Sequence, residues 1–229
     1  GNPLKQENLY PSWERPAFLI IITLIGGYMN AYTYITRDGV LANMHTANMS
    51  HLGINLALGN WYVALTYFLP IAACIFGAAF SEFLKAALVK SRLTGDWRKA
   101  ALLLEAGALL AVGFAPLHRM NMAVTIFVSF FMGFQLCLFR TCMGTAHNTT
   151  ICTGNIRNVG QKLYKVFTDR DRGSCKVFLT FAALTFSFAA GAVPGTLISL
   201  RLGSKAVWVC SAILILQAFW IKISERKLN

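Results

Sequence analysis

Long apolar runs alternate with short polar segments along the whole chain. Six runs are long and apolar enough to predict membrane-spanning helices, since a bilayer core takes about 20 apolar residues in a helix. They cover residues 17–36, 62–84, 100–117, 121–139, 177–200 and 206–221. Two further segments, 39–60 and 146–167, are less apolar and rich in Asn, Thr, His and Gly. The pattern predicts an all-α integral membrane protein.

Composition and charge agree with a membrane protein. Hydrophobic residues make up 56% of the chain and charged residues 13%, about half the share usual in soluble domains. The formal net charge of +12 comes from basic residues in short loops, not from a stripe interleaved with exposed aromatics, so we expect no nucleic-acid partner. The six cysteines show no CxxC spacing, and His45 and His51 do not share a helix face. We therefore expect no disulfide framework, no metal site and no cofactor.

The distribution of Lys and Arg predicts the topology, because cytoplasmic loops carry the excess of these residues. Six spans with a cytoplasmic N-terminus place seventeen Lys and Arg inside and four outside. Counting 39–60 and 146–167 as full spans changes the split to twelve and nine. We therefore expect six spans, both termini in the cytoplasm, and a multi-pass protein of the inner (plasma) membrane. The two polar segments then enter the membrane and return on the same side, as re-entrant half-helix segments.

An internal repeat emerges when the sequence is shifted by 107 residues. Span 17–36 falls on 121–139 and the two polar segments coincide, so that Thr46 meets Thr153 and Asn48 meets Asn155. Each unit has three spans, an odd number, and the second unit is therefore inverted relative to the first. Chance matching of apolar runs is the alternative. The predicted organisation is a cytoplasmic segment 1–16, a first repeat 17–117, a second repeat 121–221 and a cytoplasmic tail 222–229.

Several short motifs carry a family resemblance. They are Gly27-Tyr28-Met29-Asn30-Ala31-Tyr32, Val40-Leu41-Ala42-Asn43-Met44-His45-Thr46-Ala47-Asn48, Gly133-Phe134-Gln135 and Thr149-Thr150-Ile151-Cys152-Thr153-Gly154-Asn155. With them the chain resembles the YoaK family, bacterial six-span membrane proteins of unknown function, from about residue 16 to residue 223. The resemblance implies a fold and no substrate. Asn30 stands where the family often has Asp, Leu136 where it often has Asn, and Ala47 where the first motif has Gly. The missing Asp removes a candidate proton carrier.

The N-termini of the two polar helices form the candidate binding site. A helix over 46–58 is about 20 Å long, enough to return from mid-bilayer to the surface. We predict Thr46 or Asn48 as its N-cap, and Thr153 or Asn155 as the N-cap of the second polar helix. Two helix N-termini meeting at the centre would favour an anionic or dipolar solute. The predicted substrate-binding residues are Asn30, Thr46, Asn48, Gln135, Thr153 and Asn155; a purely structural, helix-capping role for the motifs is the alternative.

Two further features bear on coupling and packing. Glu105 lies inside span 100–117, where an ionisable side chain is costly, and is a candidate coupling carboxylate. Contact with water or pairing with Arg98 is the alternative.

Gly191 to Gly195, and Gly77 with Ser81, form small-residue faces suited to close helix packing, either between the two repeats or in a homodimer.

A membrane transporter of a small anionic or dipolar solute fits these features best, because inverted repeats with broken helices are typical of secondary transporters. A passive channel for small solutes is the nearest alternative. An intramembrane enzyme is disfavoured because the GxSxG and HExxH signatures are absent and every Asp lies in a loop. A membrane assembly partner without transport is the third interpretation. The expected partners are the lipid bilayer and a small-molecule solute.

Overall fold

The apolar runs fold into helices, which satisfy every backbone hydrogen bond within the segment. The computed structural model describes residues 9–91, 95–149, 153–170 and 172–226. The α-helices in these ranges are α1 Pro16–Thr36, α2 His45–Ala57, α3 Trp61–Lys90, α4 Trp97–Val112, α5 Asn121–Leu136, α6 Thr153–Asp169, α7 Arg172–Leu202 and α8 Trp208–Arg226. Two 3-10 turns, Ser12–Glu14 and Gly203–Val207, and a short antiparallel pair, β1 Thr141–Cys142 with β2 Thr145–Ala146, complete the elements.

Several helix boundaries have local causes in the sequence. Pro16 occupies the first turn of α1, where its missing N–H costs nothing. Asp96 caps α4, its carboxylate accepting a hydrogen bond from the Arg98 backbone N–H at 2.8 Å. Gly59 adopts a φ of 74°, which lets the chain turn sharply from α2 into α3. Each predicted span, and each of the two polar segments, therefore coincides with a helix.

The length and surface of these helices are those of a membrane protein. Three helical stretches are long and apolar enough to cross a membrane: Pro16–Thr36, Trp61–Lys90, and Arg172–Glu225, which contains α7 and α8. Helix α5 is apolar but shorter, and α4 has 16 residues. Large apolar side chains are exposed along the helices, among them Phe76, Phe83, Phe186, Leu200 and Leu216. Soluble monomers rarely expose so much contiguous apolar surface. The chain is a helical membrane protein.

The first and second halves of the chain are interlocked. Helix α1 packs most extensively on α7, and α5 packs on α3. The first helix of each half therefore packs on a helix of the other half. Helix α4 packs on α8, α2 packs on α3, and α6 packs on α7. Helices α1 to α4 correspond in order to α5 to α8. Replacing every helix by its counterpart in the other half gives the same set of packed pairs. The buried apolar core lies among α1, α4, α5 and α8, with Phe18, Ile22, Leu102, Leu109, Val128 and Leu214 fully enclosed.

Glycines permit the two interlocking contacts. A Cβ on Gly27 of α1 would lie 1.8 Å from the Phe188 carbonyl oxygen of α7, and one on Gly191 would lie 2.0 Å from the Leu24 oxygen. In the other pair, a Cβ on Gly77 of α3 would lie 1.8 Å from the Phe130 oxygen of α5. The backbones approach this closely only without side chains. Of the two roles predicted for Gly77 and Gly191, the structure shows packing between the halves.

Candidate functional site

The segments that precede α2 and α6 converge on a single turn of α1. Before α2, the Asn43 side-chain amide donates to the Gly26 carbonyl at 3.1 Å. Before α6, the His147 Nε2 lies 3.3 Å from the Thr23 hydroxyl oxygen. Residues three apart on a helix share one face, so Thr23 and Gly26 bring both segments to the same place. We call Thr23, Gly26, Asn43 and His147, with Ser129 described next, the convergence site.

Helix α5 closes the convergence site from the opposite side. The Ser129 hydroxyl donates to the Ala42 carbonyl at 2.7 Å, and the Ala42 N–H donates to the Thr33 hydroxyl of α1 at 3.2 Å. The segment before α2 is therefore held between α1 and α5. Because α1 and α5 begin the two halves of the chain, the site lies at the interface between the halves.

The side chains of Asn48 and Asn155 shape the two converging segments in the same way. The Asn48 amide donates to the carbonyl of Leu41, and the Asn155 amide donates to the carbonyl of Asn148, at 3.1 and 2.6 Å. The carbonyl lies seven residues upstream in each case. Asn155 Oδ1 also accepts from the Asn148 N–H at 3.1 Å. Both asparagines are buried, so each fixes the backbone that enters its helix.

The capping prediction was wrong for α2. This helix begins at His45 after Met44, which makes no side-chain cap, and Asn48 lies inside the helix. Asn155 also lies inside its helix, α6, which begins at Thr153; the position before Thr153 lies outside the described residues. Thr46 and Thr153 are exposed at the two helix starts, whereas Asn48 and Asn155 are buried. Instead of capping α2, the Asn48 side chain donates to the Leu41 carbonyl in the segment before the helix.

Asn30 and Gln135, the two solute contacts predicted from the flanking helices, lie in different parts of the structure. Asn30 lies one turn beyond Gly26 on the same face of α1, and its Oδ1 is buried without a hydrogen-bond partner among the described residues. Gln135 is fully buried, and neither of its amide atoms has a partner within the described ranges. Six residues from Ser129, Gln135 points about 120° away from the side chain that contacts Ala42. The structure brings Asn30 to the convergence site and leaves Gln135 on another face of α5.

More buried polar atoms lack partners near the convergence site. In the described part of the chain these include Asn43 Oδ1, Thr125 Oγ1 and Thr149 Oγ1. Thr125 lies one turn from Ser129 on α5, and Thr149 directly follows the Asn148 held by Asn155. Roughly 90% or more of buried polar groups in proteins have a partner. These unpaired donors and acceptors are available to bind water or a polar solute.

His147 was not among the predicted site residues. The Thr23 hydroxyl donates to the Leu19 carbonyl at 2.7 Å, so its proton is already used and His147 Nε2–H is the donor in their contact. Nδ1 of the ring is then the unprotonated nitrogen. A lone His in a polar segment gives no sequence signal, and only its contact with α1 reveals it. Among the described residues, no group of three or more His, Cys, Asp or Glu side chains is placed to hold a metal ion.

The buried side chain of Arg37 connects several segments by hydrogen bonds at one end of the bundle. The Arg37 guanidinium is fully buried and donates to the carbonyls of Ala115 and Pro116, to Asn121 Oδ1 and to the Tyr32 hydroxyl, at 3.0 to 3.2 Å. The Asn121 amide in turn donates to Asp38 at 2.8 Å. These contacts join the end of α1 to the start of α5 across the α4–α5 connection, and so close the bundle beyond the convergence site.

Glu105 is fully buried in the middle of α4, and neither carboxyl oxygen has a hydrogen-bond partner among the described residues. The predicted alternative, a pair with Arg98, is wrong. Arg98 instead forms an ion pair with Asp96 at 3.0 Å and donates to the Leu138 carbonyl at 2.8 Å.

Comparison with known proteins agrees with the architecture. Residues 18–220 match the family described as Protein of unknown function (DUF1275). The chain belongs to this family. It is the family identified above as YoaK, so the resemblance is confirmed over nearly the whole chain. Neither the curated proteins nor the solved structures contain a match to this DUF1275 chain. Membership supports a membrane protein and assigns no substrate.

Proposed function

We propose that this protein transports a small anionic or dipolar solute across the inner membrane and binds it at the convergence site. The observation that carries the proposal is the meeting of two segments, one from each half, on one turn of α1, with unpaired polar atoms around it. Transporters with inverted repeats bind their substrate at the repeat interface near the bilayer midplane, at the ends of broken helices.

The proposed topology has six spans, two inverted repeats and cytoplasmic termini. Its support is the pairing pattern of the helices, which does not change when the two halves are exchanged. Helices α4 and α5, with 16 residues each, are about 24 Å long. The hydrocarbon core is about 30 Å thick, and the apolar residues that follow each helix, 113–117 and 137–139, supply the remaining length. In this topology α2 and α6 are re-entrant helices that begin near the membrane centre.

The chemistry of the convergence site supports the solute class. Asn30, Asn43, His147 and Thr149 offer neutral hydrogen-bonding groups, and no Lys or Arg among the described residues forms an ion pair or hydrogen bond with them. Helices α2 and α6 begin beside the site, and a helix N-terminus carries about half a positive charge. Neutral donors and acceptors with this field suit a dipolar molecule or a small anion, and disfavour a free cation.

Asn48 and Asn155 act on this site through the backbone. They hold the segments that carry Asn43 and Thr149 to the centre, so their effect on transport is one of position. Thr46 and Thr153, exposed at the helix starts, line the approach to the site. Gln135 has a buried amide without a partner among the described residues, but it lies on a different face of α5 from Ser129 and outside the convergence site. We infer that transport, and not intramembrane catalysis, is the function, because these groups bind by hydrogen bonds. In the one hydroxyl–imidazole contact that the described residues make at this site, the Thr23 proton goes to the Leu19 carbonyl and not to His147.

Solute flux into proteoliposomes tests the proposal. Urea and glycerol serve as dipolar probes, and potassium formate with valinomycin serves as the anionic probe, each followed by light scattering. We expect at least one probe to enter faster than into protein-free vesicles, with uptake that saturates and exchanges with the same solute on the other side. Flux that is linear in concentration and does not exchange identifies a passive channel. Permeation equal to that of protein-free vesicles for all probes contradicts the proposed solute class.

A matched pair of substitutions locates the flux at the convergence site. Thr23→Val removes the hydroxyl that binds His147, and the loss of one hydrogen bond of about 1 kcal/mol should lower flux about fivefold. Thr185→Val is the control, because this buried threonine of α7 also donates to its own helix, to the Phe181 carbonyl at 2.9 Å, and makes no hydrogen bond to either converging segment among the described residues. Equal flux through the two variants places the solute path elsewhere.

A further inference from the structure

One buried carboxyl group has no structural use within the fold. Glu105 is the ninth of sixteen residues in α4, which puts it about 10 to 12 Å from either helix end. Its side chain is fully buried, both oxygens lack a hydrogen-bond partner in the described part of the chain, and none of the ion pairs found there includes it. A leucine or glutamine would fill the same space at lower cost.

Among the described residues, no Lys or Arg forms an ion pair or hydrogen bond with Glu105. Helix α8 packs on α4 at this level, where the Ser211 hydroxyl donates to the carbonyl of Ala106. The titratable group that faces Glu105 from α8 is Cys210, and Cys210 in turn interacts with Tyr28 of α1. Helix α5 has no titratable residue. Helix α3 meets α4 at the far end, where Lys85 lies over the Trp97 ring.

These surroundings determine the protonation state of Glu105. An ionised carboxylate without a cation, a donor or water is strongly disfavoured in an apolar interior, so the group is kept as the neutral acid. The cation nearest in sequence, Arg98, is already bound to Asp96 and to the Leu138 carbonyl. Glu105 can therefore ionise only when the packing of α4 on α8 opens enough to admit water.

The middle of α4 lies at the depth of the convergence site. At one end of the bundle, Arg98 near the start of α4 donates to the Leu138 carbonyl, which lies just beyond the end of α5. At the other end, Arg37 just beyond the end of α1 donates to the carbonyls of Ala115 and Pro116, which follow α4. Helices α4, α5 and α1 therefore extend between the same two ends of the bundle. Glu105 and the turn Thr23–Gly26 both lie about midway between those ends. Water that reaches Glu105 through such an opening is therefore at the same depth in the bundle as the turn Thr23–Gly26.

We propose that Glu105 is the proton carrier that couples solute transport to the proton gradient. In the packed state described here the carboxyl group holds its proton. When the interface of α4 with α8 opens and is hydrated, the carboxyl releases that proton to water and takes one up again from the opposite side in the next cycle. No other bond is made or broken. This inference rests on the proposed transport function.

Infrared spectroscopy of the purified full-length protein tests the protonation state without any solute. The difference spectrum between wild type and Glu105→Gln at pH 7 should contain the C=O stretch of one protonated carboxyl group. That band should disappear as pH is raised from 5 to 9 in vesicles. A carboxylate already ionised at pH 7, or a band that does not change over this range, overturns the proposal.

Flux separates coupling from transport itself. An inward proton gradient should drive uptake of the transported probe, whether urea, glycerol or formate, above its equilibrium level in wild type. Glu105→Gln should abolish this accumulation and keep solute exchange across the membrane, since exchange needs no net proton movement. Equal accumulation in both proteins overturns coupling through Glu105. Absence of any flux in wild type contradicts the proposed function instead, and the infrared band still reports on Glu105.

Discussion

Replacing Gly27 with alanine tests the interlocked arrangement of the two halves. The new Cβ would lie 1.8 Å from the Phe188 carbonyl oxygen and 3.2 Å from the Ala192 nitrogen. Both neighbours are backbone atoms of α7 and cannot rotate away, so α1 and α7 must separate by more than an ångström. Overpacking of this kind costs about 1–3 kcal/mol, and we expect the upper end. Alanine also stabilises a helix by about 1 kcal/mol over glycine, so the expected net loss is about 2 kcal/mol.

The measurement is unfolding of the purified protein in detergent micelles, followed by circular dichroism as denaturant is added. Gly107→Ala is the matched control, because a Cβ on this glycine of α4 has no atom within 4 Å. It should raise the free energy of unfolding by up to about 1 kcal/mol. Gly77→Ala, with a Cβ 1.8 Å from the Phe130 oxygen, should behave as Gly27→Ala does. If Gly27→Ala is as stable as wild type or more stable, α1 does not pack on α7 as described.

Two further predictions concern buried polar side chains. Arg37→Met removes four hydrogen bonds from a charged donor, one of them to Tyr32, and should lower the free energy of unfolding by about 3 kcal/mol. A loss of less than about 1 kcal/mol in a denaturant titration would contradict the hydrogen bonds described for the buried Arg37 side chain. Asn155→Ala leaves the Asn148 N–H and carbonyl unpaired and should cost about 1–3 kcal/mol in the same titration and reduce flux. The exposed Asn60→Ala is its control and should stay within about 0.5 kcal/mol of wild type. Equal stability of the two Asn variants would mean that Asn155 does not hold the segment before α6.

Much of the fold follows from hydrophobic pattern and charge. The apolar runs predict each helix because burial or lipid contact of about 20 residues leaves few other conformations. The offset of 107 residues pairs Asn48 with Asn155, and the structure gives both side chains the same contact, a carbonyl seven residues upstream. Residue type was informative here because a buried amide needs a partner, and the nearest one is the preceding loop.

The partners of each helix did not follow from the sequence. That α1 contacts α7, and α5 contacts α3, depends on where glycines remove side chains from a helix face, and a glycine can serve a turn, a lipid face or a contact equally well. The capping role of Thr46 failed because the helix begins at His45, which makes Met44 the N-cap residue, and local propensity does not fix the exact residue at which a helix begins. His147 was missed because its contact with Thr23 joins residues 124 positions apart.

Chemical access to the centre of the protein tests the central claim most directly. In a variant without the native cysteines, Thr149→Cys places a thiol at a fully buried position beside Asn148, and Ala101→Cys places one in the fully buried apolar core of α4. The variants are reconstituted in lipid vesicles and treated with a small, charged, membrane-impermeant thiol reagent. The account predicts that Thr149→Cys is labelled and that Ala101→Cys, one helical turn from Glu105 and reached by water only while α4 and α8 are apart, is labelled more slowly. If neither cysteine is labelled, the converging segments are packed without a path for water, and transport through this site is contradicted.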